Sequence, residues 1–216
     1  MNIPEQKNAV QTGVKNLREV WRTYAFWSLW VGIAFFGVYP TCNYLSAQRA
    51  DIHHFFLPLE LDIPFVPEFF WVYVSMYVLF LFPPFFLSAG QLVTLGKRII
   101  VGTFISAVLF LLFPSTLGFE RVMPEGFYAP IYARIFSVDL PYNMAPSLHV
   151  VYSAFILLAI RAASQKRAVR AMSLVWLAMI VLSTLLVHQH HLIDVLSALT
   201  IVWLVTHKLV KRSENG

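Results

Sequence analysis

Two short stretches of this 216-residue chain hold residues whose types and spacing could do chemistry. The first runs from Asp139 to His149 and reads Asp-Leu-Pro-Tyr-Asn-Met-Ala-Pro-Ser-Leu-His. The second runs from Ser183 to Asp194 and reads Ser-Thr-Leu-Leu-Val-His-Gln-His-His-Leu-Ile-Asp. Each places histidine at the edge of a long apolar segment. Together they supply two imidazoles, a carboxylate and a hydroxyl-bearing turn, which are groups that phosphoryl transfer can use.

The second stretch contains a histidine and a carboxylate at helical spacing. His190 and Asp194 lie four residues apart on one predicted helix, so their side chains share a face. A carboxylate one turn inside a membrane helix is costly unless it is paired. An imidazole can donate one N–H to the carboxylate and present its other nitrogen outward, as an oriented nucleophile or base does. His191 is three residues from Asp194, so spacing alone leaves both histidines open.

The first stretch has the pattern of a helix start. Ser147 and His149 follow Pro146, which fits the first turn of a helix. Free backbone N–H groups at that position suit an anion such as phosphate. Asn143 and Asp139 come just before and are residue types that shape turns or cap helices.

A metal site is the alternative use of the histidines at 188–191. Tetrahedral zinc needs ligands that converge from different directions, and neighbouring positions of one helix rarely supply that geometry. We therefore predict no metal and no other cofactor. An ordinary interfacial polar residue is the simpler interpretation of any single histidine, but ionisable groups inside a membrane segment usually have a function.

Composition places the chain in a membrane. The sequence is 58% hydrophobic and 12% charged, with mean hydropathy +0.67; a soluble domain carries about twice that charged fraction. The net charge is +5, but the basic residues form short clusters between apolar runs, which argues against nucleic acid as a partner. Cys42 is the single cysteine, so an intrachain disulfide is impossible.

Six apolar segments predict an all-α, polytopic integral membrane protein with six transmembrane helices. They run about 24–45, 69–87, 99–117, 146–163, 168–187 and 190–210. Each is near the roughly 20 residues that a helix needs to cross a bilayer, and each is continuously apolar rather than alternating.

The chain divides into a region before these segments and a region that contains them. Residues 1–22 form a polar cytoplasmic segment whose apolar spacing fits either an amphipathic helix on the bilayer or an ordinary lead-in helix. Residues 23–212 form a single six-helix membrane domain.

The basic residues predict the orientation. With the N-terminus inside, 13 of the 16 Lys and Arg residues fall on the cytoplasmic side, which follows the positive-inside rule. Both termini are then cytoplasmic, and the loops 46–68 and 118–145 lie outside. His149 and His190 begin the fourth and sixth spans at the same outer face. We expect a site there, formed by 118–150 and 183–195, in a bacterial cytoplasmic membrane rather than a eukaryotic endomembrane.

These residues resemble a known family. Pro146-Ser-Leu-His149 resembles the Pro-Ser-X-His motif of the phosphatidic acid phosphatase type 2 superfamily, and Ser183-Thr-X5-His190-X3-Asp194 resembles its last motif, Ser-Arg-X5-His-X3-Asp. The longer wording looks closest to the inositol phosphorylceramide synthase-like branch. The resemblance covers about residues 113–200.

The resemblance implies a role for each residue and decides for His190 over His191. His190 would attack phosphorus and form a phosphohistidine, Asp194 would orient it, and His149 would protonate the leaving group. Ser147 would help to hold the phosphate. Water or an alcohol would then accept the phosphoryl group, with no metal involved.

The sequence departs from the family pattern in its cations. Thr184 stands where the family has arginine, and the family's first motif, Lys-X6-Arg-Pro, is absent. A phosphoryl group in flight carries negative charge that fixed cations normally stabilise. On the outer side Arg121 is our first candidate for a phosphate ligand and Arg134 the second, with Asn143 as a further substrate-binding residue. Anchoring to lipid headgroups is the other use of both arginines.

The sequence therefore predicts a metal-independent lipid phosphate phosphatase or phospholipid headgroup transferase, acting on a lipid phosphate or phospholipid at the outer membrane face. The alternative is a non-catalytic relative that binds lipid or serves as a membrane scaffold.

Overall fold

The computed structural model describes residues 16–138 and 140–209. This part of the chain is helical and contains no β-strand; one isolated bridge joins His53 to Ser115. Its α-helices are α1 Leu17–Ala47, α2 Phe70–Leu79, α3 Pro83–Phe86, α4 Ala89–Leu112, α5 Ala129–Val138, α6 Leu148–Ala163, α7 Arg167–Leu186 and α8 Leu192–Leu204. A π-helical turn, Val205–Leu209, continues α8, and 3₁₀ turns lie at Pro58–Asp62, Pro67–Phe69 and Gly126–Tyr128. The predicted all-α class is confirmed.

Three of these helices, α1, α4 and α7, are long and apolar enough to cross a membrane. Helix α6 and the helix formed by α8 and its π-helical turn are apolar but shorter. At 1.5 Å per residue α6 is about 24 Å long, against a hydrocarbon core of about 30 Å. The helices are those of a membrane protein by length and composition, while six crossings and cytoplasmic termini stay predictions.

The first and third apolar segments begin earlier than predicted because capping residues precede them. Asn16 accepts a hydrogen bond from the Glu19 amide at the start of α1, so 17–22 belong to the first long helix. Residues 1–15 lie outside the described part. Ser88 and Gln91 form a capping box at the start of α4. Lys97 and Arg98 therefore lie within a helix rather than in a loop.

The second predicted span is broken in two. Helix α2 ends at Leu79, and α3 begins at Pro83. Proline is favoured at the first position of a helix, where its missing N–H has no partner to lose. The predicted outer loop 118–145 contains the short helix α5.

Helix α6 lies at the centre of the bundle and carries His149 in its first turn. Ten of its 16 residues are buried. Helix α4 approaches it closely because small residues face it: a Cβ at Gly102 would lie 2.8 Å from the Phe155 ring. The Thr103 and Tyr152 hydroxyls are 2.7 Å apart at the same contact. This packing fixes the axis on which the first histidine is mounted.

Backbone hydrogen bonds gather three connections at one end of the bundle. The His53 amide donates to Pro114 O (2.8 Å), and the Val66 amide donates to Leu186 O (2.8 Å). The segments 46–68, 113–147 and 186–194 therefore form one cluster, which we call the loop end. The two motif stretches meet inside it.

Candidate active site

The loop end brings His190 and Asp194 together. His190 Nδ1–H donates to Asp194 Oδ2 over 3.2 Å, and the same oxygen accepts the His191 amide at 2.8 Å. Both side chains are buried, with 7% and 1% of their surfaces exposed. The contact does not arise as predicted, because His190 lies before α8 and Asp194 is in the first turn of α8. The carboxylate caps that helix and orients the imidazole at the same time.

His149 faces this pair across a short gap. The ring centroids of His149 and His190 are 6.1 Å apart and the ring planes are inclined by 57°. The Ser147 amide donates to Asp194 O at 3.0 Å, which ties the two motif stretches directly. The predicted meeting of His149, His190 and Asp194 is therefore present in the fold.

A tyrosine on α2 is the hydrogen-bond partner of His149. The Tyr73 hydroxyl is 3.3 Å from His149 Nδ1, and the two rings stack with centroids 4.1 Å apart. His149 Nε2 is buried and has no hydrogen-bond partner among the described residues. A hydroxyl can donate or accept, so Tyr73 can partner Nδ1 whether or not the imidazole is protonated.

A cavity of about 810 Å³ begins at these histidines and extends between α1, α2, α4 and α6. Its polar end is lined by His149, His190, Gln189 and Asn143, and the rest of its wall is mainly apolar and aromatic. Since Nδ1 of His190 is bonded to Asp194, Nε2 is the nitrogen left to meet a molecule in the cavity. Ligand sites are commonly of this size, with a few polar groups placed on an apolar wall.

Ser147 and Asn143 both serve the loop structure. Ser147 Oγ accepts the Val150 amide at 3.4 Å and so caps α6. A helix start after Pro146 was predicted, but with Ser147 in the first turn rather than at the cap. Asn143 adopts a positive φ of 59°, and its side chain joins Ser46 Oγ (2.9 Å) to Tyr39 O (3.4 Å). Asn143 lines the cavity and Ser147 does not. Their predicted contacts with substrate stay predictions, and Asp139 lies outside the described residues.

The two candidate arginines are not on the cavity wall. Arg121 Nη1 donates to Phe136 O at 3.1 Å, and its guanidinium lies 4.8 Å from the centre of the Phe136 ring. Arg134 is exposed on α5. No lysine or arginine of the described residues lines the cavity. Their roles as phosphate ligands therefore stay predictions.

Thr184 occupies a closed position. Its side chain is fully buried, and Oγ1 donates to Val181 O at 2.7 Å. Its carbonyl accepts the amides of Gln189 and His190, both at 3.0 Å. Thr184 therefore supports the turn that carries His190.

A second histidine–carboxylate pair lies beside the first. His191 Nδ1–H donates to Glu60 Oε2 over 3.3 Å, and His191 Nε2 accepts the Gly118 amide at 2.9 Å. The Leu192 amide also donates to Glu60 Oε2, at 2.7 Å. Both ring nitrogens of His191 are thus engaged within the protein. This pair joins three segments of the loop end.

Aromatic stacking surrounds the second pair. The Phe119 ring lies between two imidazoles, 4.3 Å from His191 and 3.9 Å from His188, and is nearly parallel to both. His188 Nε2–H donates to Ile63 O at 2.8 Å. Burial lowers the pKa of His188 and of His191, both of which lie in the connection between α7 and α8. Burial in the cluster therefore favours the neutral form of both imidazoles.

Sequence reasoning missed Glu60, Tyr73 and Gln189. Glu60 stands between two leucines in a loop, which is a weak sign that a carboxylate faces inward. Tyr73 is one aromatic residue among many in an apolar segment. Gln189 stands beside the histidines, but no pattern assigns it a role.

Among residues 16–138 and 140–209, no group of three or more His, Cys, Asp or Glu side chains is arranged to hold a metal ion. Comparisons of the chain with protein-family models, with curated proteins and with solved structures find no match. The resemblance drawn from the two motifs thus stays a prediction that rests on the residues themselves.

Proposed function

We propose that this chain is a membrane enzyme that transfers the phosphoryl group of a lipid through a phosphohistidine on His190. The observation that carries the proposal is the facing pair of imidazoles at the polar end of an apolar cavity. One imidazole is oriented by Asp194, and the other, His149, has its Nε2 buried without a partner among the described residues. Oriented base and nucleophile pairs of this kind support covalent catalysis.

In the first step His190 Nε2 donates its lone pair to phosphorus. An N–P bond forms as the bond between phosphorus and the leaving oxygen breaks. The leaving oxygen takes the electron pair of that bond and a proton from protonated His149. Asp194 accepts the Nδ1–H of His190 and stabilises the positive charge that develops on the ring. Before this transfer, while the His149 ring is charged, Tyr73 accepts its Nδ1–H.

In the second step water or an alcohol attacks the phosphorus of the phosphohistidine. His149, now neutral, takes the proton of the attacking hydroxyl. The N–P bond breaks and its electron pair returns to His190 Nε2. With water the enzyme is a hydrolase, and with a lipid alcohol it is a headgroup transferase.

The absence of a lysine or arginine among the described residues that line the cavity bears on the charge of the substrate. Neutral donors stabilise a dianionic phosphate less well than cations do. Tyr73, which contacts His149 Nδ1, and Gln189, which precedes His190 in the chain, are neutral donors that line the cavity. We therefore favour a phosphodiester, with one negative charge, over a phosphomonoester.

The proposal places the loop end at the outer face of the membrane. The six apolar segments support six crossings, and the distribution of lysine and arginine supports cytoplasmic termini. A bacterial cytoplasmic membrane is the proposed location, and fractionation of host membranes tests it. Labelling of single cysteines introduced in 46–68 and in 88–98 tests the orientation, since only the first should react from outside.

A non-catalytic lipid-binding protein is the second candidate. It is favoured by the lack of lysine and arginine among the described residues of the cavity wall and by threonine at position 184, because both leave out charge that phosphoryl transfer normally uses. This candidate predicts that lipid binds stoichiometrically and that no product forms.

The test is an assay of purified protein in nanodiscs beside His190→Ala. Lipid phosphomonoesters, polyprenyl diphosphates and phosphodiester lipids are supplied, with and without diacylglycerol or ceramide and with chelator. Loss of free phosphate release in the variant establishes a phosphatase, and loss of a new lipid product establishes a headgroup transferase. Absence of turnover in folded protein that binds these lipids refutes the enzyme and supports the second candidate.

A further inference from the structure

The depth of the cavity indicates how long the apolar part of its ligand can be. On α1 its lining extends from Asn43, near the histidines, to Tyr24. These residues are 19 positions apart, which corresponds to about 28 Å along a helix. One leaflet of a bilayer provides only about 15 Å of hydrocarbon. The cavity is therefore about twice as deep as an ordinary leaflet.

The width of the cavity suits one chain. A volume of about 810 Å³ spread over roughly 28 Å averages about 29 Å² in cross-section. Carbon atoms pack about 4 Å apart, so an extended hydrocarbon chain fills roughly 16–20 Å². One extended chain fits along this length with room for methyl branches.

The far end of the cavity is closed. The Tyr24 hydroxyl donates to Phe80 O at 2.7 Å, which joins α1 to the break after α2. Trp27 packs directly on Gly96, where a Cβ would lie 2.4 Å from the indole ring. A chain that enters from the histidine end therefore meets a floor.

The side of the cavity between α1 and α2 is open toward the surroundings. Three aromatic residues that line it are also strongly exposed: Phe36 (73%) and Tyr44 (65%) on α1, and Tyr77 (58%) on α2. A lipid chain can pass from a bilayer into the cavity between these rings without leaving an apolar environment.

We propose that the substrate is a lipid with a single apolar chain longer than one leaflet, held along α1 with its phosphate at His149 and His190. This inference rests on the proposed function for the position of the phosphate. Because a bilayer is as apolar as the cavity, added methylenes gain little free energy. The cavity distinguishes lipids by whether the chain can lie along α1, since a chain that cannot do so must leave through the opening between α1 and α2.

Two glycines of α1 provide a matched test. A Cβ atom added at Gly32 or at Gly37 would meet no atom within 4 Å. Gly32 lines the cavity and Gly37 does not. Gly32 is 11 residues from Asn43, or about 16 Å along the helix. Gly32→Trp should fill the cavity at the depth of one leaflet, and Gly37→Trp should project elsewhere with the same change in helix propensity.

The experiment measures binding and turnover separately. His190→Ala, alone and with each tryptophan, is titrated by native mass spectrometry with n-alkyl phosphates of increasing length, a polyprenyl phosphate and two-chain phosphatidic acid. Gly32→Trp should weaken binding of chains longer than a leaflet by at least about tenfold and leave shorter chains within about twofold. Gly37→Trp should change neither, and phosphatidic acid should bind most weakly.

Equal binding of all lengths by Gly32→Trp, or preferred binding of phosphatidic acid, overturns the inference. Gly32→Leu is the second variant if the tryptophan protein does not fold, with the same pattern expected at smaller size. Turnover of these lipids, and of phosphodiester lipids with the same apolar chains, by protein with His190 intact distinguishes the two proposals. Length-selective binding without any turnover refutes the enzyme and leaves this inference standing, and turnover without length dependence does the reverse.

Discussion

The two histidine–carboxylate pairs of the loop end use the same groups for different ends. In the His190–Asp194 pair, Nδ1 alone is bonded among residues 16–138 and 140–209, and the ring lines a cavity. In the His191–Glu60 pair both ring nitrogens are bonded, and the ring is 1% exposed between aromatic neighbours. A pair of this kind becomes available for chemistry when its outer nitrogen faces a space that a ligand can fill.

The surroundings explain why adjacent residues differ so sharply. His191 is the residue just before α8, and Glu60 holds it and the Leu192 amide against the loop 46–68. His190 comes one residue earlier, where the chain turns toward α6 and His149. We infer that the second pair fixes the turn so that the first can face the cavity.

The largest effect should come from separating the two histidines. His190→Ala should lower turnover of the best lipid by about 10⁴-fold or more, because it removes the attacking atom. His191→Ala should lower the melting temperature and leave turnover of the folded protein within about tenfold. Melting in detergent and single-turnover rates measure the two properties. A His191→Ala protein that melts normally and is inactive would reverse the roles given to the pairs.

Substitution of the two carboxylates should give the same contrast between lost turnover and lost stability, with smaller effects. Asp194→Asn should lower turnover by about 10²–10⁴-fold, because an amide can hold the imidazole in the wrong tautomer. Glu60→Gln should destabilise the fold by about 1–3 kcal/mol, because its new N–H₂ cannot accept the bonds that the carboxylate accepts. Denaturation curves and turnover rates check both. Equal losses of activity in the two variants would show that the second pair also belongs to the chemistry.

His149→Gln tests whether the imidazole that faces the His190–Asp194 pair acts as the general acid. Loss of the proton donor should cost about 10²–10⁴-fold with an alcohol leaving group. The loss should shrink with a nitrophenol leaving group, which needs no proton. A similar loss with both substrates would remove His149 from the role of general acid.

Acid should lower the stability of the fold through His188 and His191. Burial lowers the pKa of His188 and His191 below the usual value of about 6.5. Below that pH the unfolded chain binds more protons than the folded one, so stability should fall as pH falls toward the folded-state pKa values. The loss is at most about 1.4 kcal/mol per pH unit for each histidine. Melting at pH 7.5 and 5.5 should show it, and His188→Gln should reduce the slope; an unchanged slope would contradict the assignment.

The smallest effects should come from the arginines away from the cavity. Arg121→Gln and Arg134→Gln should each change kcat/KM by less than about tenfold, since neither side chain lines the cavity. Loss of a cation that touches the phosphate would cost much more. Steady-state kinetics with the best lipid decides between the two, and a loss above about 100-fold would return that arginine to the site.

Hydropathy and motif spacing predicted the helices and the meeting of the motifs because both are local signals. Continuous apolar runs mark helices, and the predicted orientation of the fourth and sixth apolar segments placed His149 and His190 at one end. The pairing of His190 with Asp194 was predicted, but as a contact along a helix rather than across its first turn. Glu60 and Tyr73 could not be predicted, because their partners are more than 70 residues away and only the packed loops bring them near. The capping residues Asn16 and Ser88 were the overlooked local signals.

The most direct measurement is to trap the covalent intermediate. Protein is mixed with lipid labelled in its phosphate, quenched in base within one turnover and digested, and the labelled peptide is sequenced by mass spectrometry. We expect acid-labile phosphate on His190, present in His191→Ala and absent from His190→Ala. Label on His191, or sustained turnover with no labelled histidine, would contradict the assignment of His190 as the nucleophile.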